Sequence, residues 1–185
     1  MRPLLVLIGG ATGTGKSTVA ARVAHRLGIT RLASTDVVRQ TMRAFFAPAV
    51  LPALHVSTFE GEPLLDTFVE QSEAVLTGLR ATLERAVDER WPTVVEGVHL
   101  VPGLVEPVDG AVVVQCTLAL PSAAAHAKQL EARGERYVAR LDEIRKVHDF
   151  VVEASLAHGV PVIENRGVEP TVEAIVGLVP ELERV

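Results

Sequence analysis

LLVLIGGATGTGKSTVA, residues 4–20, decides how this chain folds. Leu4 to Ile8 are five consecutive aliphatic residues, the pattern of a strand covered on both faces. Gly10, Gly15, Lys16 and Ser17 then match the spacing G-x-x-x-x-G-K-[ST], and a helical period follows. In that setting the backbone N–H groups of Gly10, Ala11, Thr12, Gly13, Thr14 and Gly15 can turn inward around phosphates, aided by the positive end of the next helix. Lys16 is expected to reach the β- and γ-phosphates and the Ser17 hydroxyl to ligate Mg²⁺, with Thr18 at the loop's end in the first helical turn. The expected cofactors are therefore ATP and Mg²⁺.

Outward from the loop, short β-branched runs alternate with longer helical patterns. Strands are expected at Leu4 to Ile8, Arg31 to Ala33, Thr93 to Glu96, Ala111 to Leu118 and Val160 to Ile163, with helices between them. Nearly continuous apolar strands fit a parallel sheet covered on both sides, an α/β three-layer sandwich. Spacing leaves the strand order open. Residues 46–63 hold three prolines and read as irregular, as do residues 97–110; either could be a substrate-side loop or a connection.

The chain has 185 residues, 48% of them hydrophobic, enough for one packed domain spanning 1–185. A formal charge of −5 gives no broad electrostatic basis for binding nucleic acid or an anionic membrane. No apolar run approaches the ~18 residues of a membrane span, and the opening apolar stretch meets glycine too early for a secretory signal, so a cytoplasmic protein is expected. The lone Cys116 lies in an apolar stretch and reads as a buried thiol. The sequence leaves the oligomeric state open.

Several polar residues sit where a phosphoryl acceptor would be met. Glu96 ends a strand in TVVEG, suited to Mg²⁺ through water or to positioning the acceptor, and His99 follows three residues on. In STDVVRQTMR, Ser34 or Thr35 can cap a helix whose entrance carries Asp36, a candidate base for a hydroxyl acceptor. Arg39 or Gln40, and Arg43, follow at helical spacing, so one face can offer a carboxylate and guanidinium groups to an anionic acceptor. EARGERYVAR contributes Arg133, Arg136 and Arg140 around Gly134, the composition of a helical lid over 126–140 whose arginines neutralise phosphate charge and exclude water. Asn165, in the turn after the last strand, is a candidate for framing adenine.

Taken in order, GGATGTGKST, STDVVRQTMR, LHVSTF, VVEGVHLVPG and RYVARLDEIRKVHDFVVEASLAHGVPVIEN resemble the 2-phosphoglycerate kinase family over most of the chain. That resemblance implies a P-loop kinase fold with a five-stranded parallel core and ATP-dependent conversion of 2-phosphoglycerate to 2,3-bisphosphoglycerate. The partner it implies is a small phosphorylated hydroxy acid, 3-phosphoglycerate among the relatives. It also brings His55, Ser57 and Thr58 of LHVSTF near the acceptor. Two other readings of the same residues are a kinase of an unrelated small alcohol, and a nucleotide-dependent switch.

Overall fold

The computed structural model describes residues 2–181. Among them the chain runs β1 (Leu4–Gly9), α1 (Lys16–Arg26), β2 (Arg31–Ser34), α2 (Thr35–Phe45), a 3₁₀ turn (Pro52–His55), α3 (Leu64–Asp88), β3 (Thr93–Glu96), β4 (Val112–Ala119), α4 (Ala123–Glu131), α5 (Glu135–Val138), α6 (Leu141–Ala157), β5 (Val162–Glu164) and α7 (Val168–Leu178). Every expected strand forms. The fourth and fifth begin one and two residues later than the apolar runs suggest, because Ala111 and Val160 precede the first ladder partners.

All pairings are parallel, and the five strands lie in the order β2-β3-β1-β4-β5. The central β1 is buried at all six positions, which is why its sequence is unbroken by polar residues. Its even residues Leu4, Val6 and Ile8 pack with Val19, Val23 and Leu27 of the α1 segment and Val172 and Ile175 of α7. Leu5 and Leu7 face the other way, onto Leu79, Leu83 and Ala86 of α3. Phe68, Val147 and Val151 extend that second layer between α3 and α6. The period of two along β1 thus divides the core into the two halves of a three-layer sandwich. Cys116 is fully buried within the first half, and burial pushes its thiol up to about 12.

The chain leaves β1 toward β2 on one side, and leaves β4 toward β5 on the other. That change of direction opens a crevice at the carboxyl ends of the strands, the usual ligand position in such sheets. Among the described residues, no helix is long and apolar enough to cross a membrane.

Candidate active site

The crevice is built around the turn from β1 into α1. Gly15 caps the helix in a left-handed conformation, φ 87°, and a Cβ there would lie 2.5 Å from Asn165 Nδ2. Glycine is therefore required both by the backbone and by what packs on it. Within the loop, the Ala11 carbonyl accepts hydrogen bonds from Thr14 Oγ1 at 3.0 Å and Lys16 Nζ at 2.8 Å. Burial draws the Lys16 ammonium below its ordinary 10.5; Glu96 and Asp36 oppose that shift, while Arg133 adds to it. One lysine thus lies in the common field of two carboxylates and an arginine.

Strand register gathers the acids. Glu96, the last residue of β3, stands opposite Ile8 of β1 and Ser34 of β2. The Ser17 hydroxyl, in the first turn of α1, donates to Glu96 Oε1 at 3.2 Å. Two oxygen donors from different elements meet beside the phosphate loop, a donor set suited to a hard cation such as Mg²⁺, which keeps several waters and uses few protein ligands. Among the described residues, no three His, Cys, Asp or Glu side chains converge into a dedicated metal cage. Ser34 Oγ accepts from the Asp36 amide at 3.2 Å, capping α2, so of the two candidate caps it is Ser34 that serves. Asp36 is left exposed at the helix entrance.

The two arginines expected beside it part company. Arg39 is buried, with Nε donating to the Leu54 carbonyl at 2.9 Å and Nη2 to that of Val56. Burial foremost, then the neighbouring Arg43 charge, lowers its pKa, with Asp36 opposing. Arg43 remains on the outer side, bonded to Gln40 Oε1 at 3.3 Å. The expected matched pair of guanidinium groups is therefore asymmetric: one holds a loop, the other has a mostly open fork.

His99 lies away from the open crevice, fully buried between Thr35 Oγ1 at 2.8 Å and Gln71 Oε1 at 2.9 Å. Burial, with the Arg39 and Lys16 charges, holds it down at about 3. His55 bonds the Phe46 carbonyl at 2.8 Å. Thr58 is buried, whereas Ser57 accepts from Arg136 Nη2 at 2.7 Å.

In the 126–140 segment, Arg136 also reaches Glu60, at 3.1 Å and 3.3 Å to its two oxygens. The Ser57 hydrogen bond first, and then Arg136, keep the Glu60 carboxyl below its usual range. Arg133 stacks over the Tyr137 ring at 5.4 Å, and Arg140, which precedes α6, pairs with Glu143 of that helix's first turn at 3.1 Å. Asn165 has its amide engaged: Nδ2 donates to the Thr14 carbonyl at 2.8 Å, and Oδ1 accepts from Gly167 N and Thr171 Oγ1. It clamps the phosphate loop to the β5–α7 turn.

Two residues at the site carry no sequence signal that reveals them. His126 of α4 is buried and bonds the Thr12 carbonyl at 2.7 Å, and Gln71 of α3 meets His99. Each is a single polar residue on a helical face, indistinguishable from a solvated one until the helices are packed. A separate groove of about 700 Å³ lies between α3 and residues 103–109 and includes none of the site residues.

Known proteins resemble this chain in sequence and in fold. Residues 5–158 match the family model described as an AAA domain. The chain is 41% identical to a 2-phosphoglycerate kinase of Thermococcus kodakarensis over 93% of its length and 64% of that protein's. It is 36% identical to one of Methanopyrus kandleri, over 96% and 61% respectively. The chain thus spans a little under two thirds of the curated relatives it matches. A shikimate kinase structure from Acinetobacter baumannii shares the fold with a TM-score of 0.58 at 16% identity, covering 96% of this chain and 93% of that one. A gluconokinase from Sinorhizobium meliloti does so at 0.56 and 16%, over 96% and 92%. With the family model matching residues 5–158, which hold most of β1, the phosphate loop and the acids Asp36 and Glu96, the chain belongs to the AAA-domain family of P-loop proteins.

Proposed function

We propose that this chain is the phosphoryl-transfer unit of an ATP-dependent kinase that converts 2-phosphoglycerate, or a closely related phosphorylated hydroxy acid such as 3-phosphoglycerate, to 2,3-bisphosphoglycerate. The observation that carries the reading is the convergence of Lys16, Ser17, Glu96 and Asp36 at the carboxyl ends of adjacent strands. The two curated relatives named above support the acceptor.

In this reading the amides of residues 10–15 cradle the triphosphate, and Lys16 leaves the Ala11 carbonyl for the β- and γ-phosphates. Ser17 and Glu96 would hold Mg²⁺, which would supply neutralisation of phosphate charge. Asp36 accepts the proton of the acceptor hydroxyl as that oxygen bonds to the γ-phosphorus and the bond to ADP breaks. Arg43, with the remaining donors of Arg39, holds the acceptor's anionic end near His55 and Ser57. Residues 126–140 act as a lid: Arg136 exchanges Glu60 for phosphate, and Arg133 joins it, excluding water. Dependence on ATP fits a cytoplasmic site of action.

The test is incubation with Mg·ATP and, separately, 2-phosphoglycerate, 3-phosphoglycerate, glycerate, shikimate and gluconate, with products identified by mass. Selective formation of 2,3-bisphosphoglycerate is expected. Transfer to an unphosphorylated alcohol alone would move the chain to an unrelated-acceptor kinase. ATP binding without any product would make it a switch.

A further inference from the structure

The segment after α2 poses a problem of backbone satisfaction. Residues 46–63 contain Pro48, Pro52 and Pro63 and join no sheet, yet Ala53 and Leu54 are buried at 3% and 0% exposure. Buried carbonyls need partners. Here they come from side chains of two different helices. Gln71 of α3 donates Nε2 to the carbonyls of Ala53 and of Val56, the latter at 3.0 Å. Arg39 of α2 donates to Leu54 and again to Val56, so the Val56 oxygen accepts two side-chain hydrogen bonds.

Those bonds fix the direction of a longer chain. Because Gln71 uses Nε2 as the donor to the loop, its Oε1 must accept from His99 Nε2–H. His99 Nδ1 is then the bare nitrogen, and Thr35 Oγ1 donates to it. Thr35 reaches it by lying against the backbone of Gly97, where a Cβ would come within 1.8 Å of the threonine hydroxyl. Thr35 immediately precedes Asp36, and Val56 immediately precedes Ser57, which accepts from Arg136 of the lid segment.

We propose that Gln71 and His99 are positioning residues of the acceptor site: the directed chain Thr35–His99–Gln71–Ala53/Val56 fixes the separation between the helix entrance that bears Asp36 and the loop that bears Ser57. Neither residue touches the acceptor; each acts through the backbone it holds. The inference rests on the proposed kinase reading, since it is that reading which makes Asp36 and Ser57 two sides of one acceptor pocket. An apolar pair could fill the same space, but it would leave the Ala53 carbonyl without its side-chain donor and the loop held only by Arg39.

Gln71→Leu removes the chain at its centre, and His99→Asn keeps an acceptor for Thr35 while losing Gln71. Misplacement of a reacting group by about 1 Å costs up to ~10²-fold. In Gln71→Leu, KM for 2-phosphoglycerate is accordingly expected to rise about 10- to 100-fold, with the ATP dissociation constant within about twofold of wild type. Amides of residues 53–60 should exchange faster in the free protein, while those of β1 and α1 stay protected. His99→Asn should shift the same two quantities, and it carries the test if Gln71→Leu fails to fold. A lowered melting temperature with the acceptor KM unmoved, or equal losses for ATP and acceptor, would overturn the proposal in favour of a purely structural role. If the wild-type chain does not phosphorylate 2-phosphoglycerate, the kinase assignment falls. Exchange then judges the relay alone, and unchanged exchange at 53–60 overturns it too.

Discussion

The Ser17 hydroxyl donates to Glu96 Oε1 across 3.2 Å, tying the first turn of α1 to the end of β3, residues 79 apart in the chain. On the proposed reading this is the place of Mg²⁺. Loss of one protein partner at a metal site reduces metal affinity by roughly 10- to 100-fold. Glu96→Gln and Ser17→Ala should each raise the Mg²⁺ concentration for half-maximal turnover by about that factor. The double variant should fall short of the product of the two, since both remove one shared site. Mg²⁺ titrations at fixed ATP check this; unchanged curves in both variants would take Mg²⁺ away from the pair.

Lys16 carries a cost in the free protein. Its folded pKa lies below 10.5, so between the two values the unfolded chain binds more protons and stability rises with pH. Below the folded pKa the penalty of the buried charge is fully present. Lys16→Met should therefore melt higher at neutral pH, by about 2–4 °C for each kcal/mol recovered. The same change should lower kcat about 10²- to 10³-fold, the usual loss for a donor aimed at developing charge. A variant that is both slower and less stable would contradict this account, and calorimetry beside steady-state kinetics decides it.

Arg39 and Arg43 should separate in experiment as they do in burial. Arg39→Ala strips the buried Leu54 carbonyl and the part-buried Val56 carbonyl of a charged donor and should cost about 1–3 kcal/mol of stability, read from urea midpoints. Arg43→Ala should change stability by no more than about 0.5 kcal/mol. If it grips the acceptor's anion, its loss should weaken 2-phosphoglycerate by about 10- to 150-fold and erode discrimination against glycerate. Full discrimination retained in Arg43→Ala would shift anion binding to the lid arginines.

His99 makes the fold acid-sensitive. It is held at about 3 in the folded state against an ordinary 6.5, so the unfolded chain binds the extra proton throughout that window. Stability should fall as pH drops from about 6.5 toward 3. Buried His126 and His148, both shifted downward chiefly by burial, add to the same trend. His99→Gln should flatten the decline relative to wild type, measured as the difference in melting temperature between pH 7 and pH 4. Parallel declines in the two proteins would mean that other groups dominate.

The phosphate loop and the strands were legible because their information is local. Ten consecutive residues supply the glycines, the lysine and the hydroxyl, and an unbroken aliphatic run can only be a strand or buried helix, with its length choosing the strand. The cap of α2 was legible, to within the choice of Ser34 or Thr35, for the same reason, since a cap and the amide it accepts from are near neighbours in sequence.

Other roles depended on which helices pack together. Arg39 and Arg43 are equivalent on a helical wheel; burial against residues 54–56 made one a loop anchor. Asn165 became a clamp on Thr14, 151 positions away, and His99 a link between Thr35 and Gln71, 64 and 28 positions away. The sequence by itself determined the glycine-rich phosphate loop, the parallel α/β class and the acids and bases available to the crevice. Tertiary structure alone decided the strand order and which polar side chains face the crevice or satisfy buried backbone. The physical reason is that a side chain's hydrogen-bond partners are set by burial, and burial is a property of the packed chain rather than of any short stretch of it.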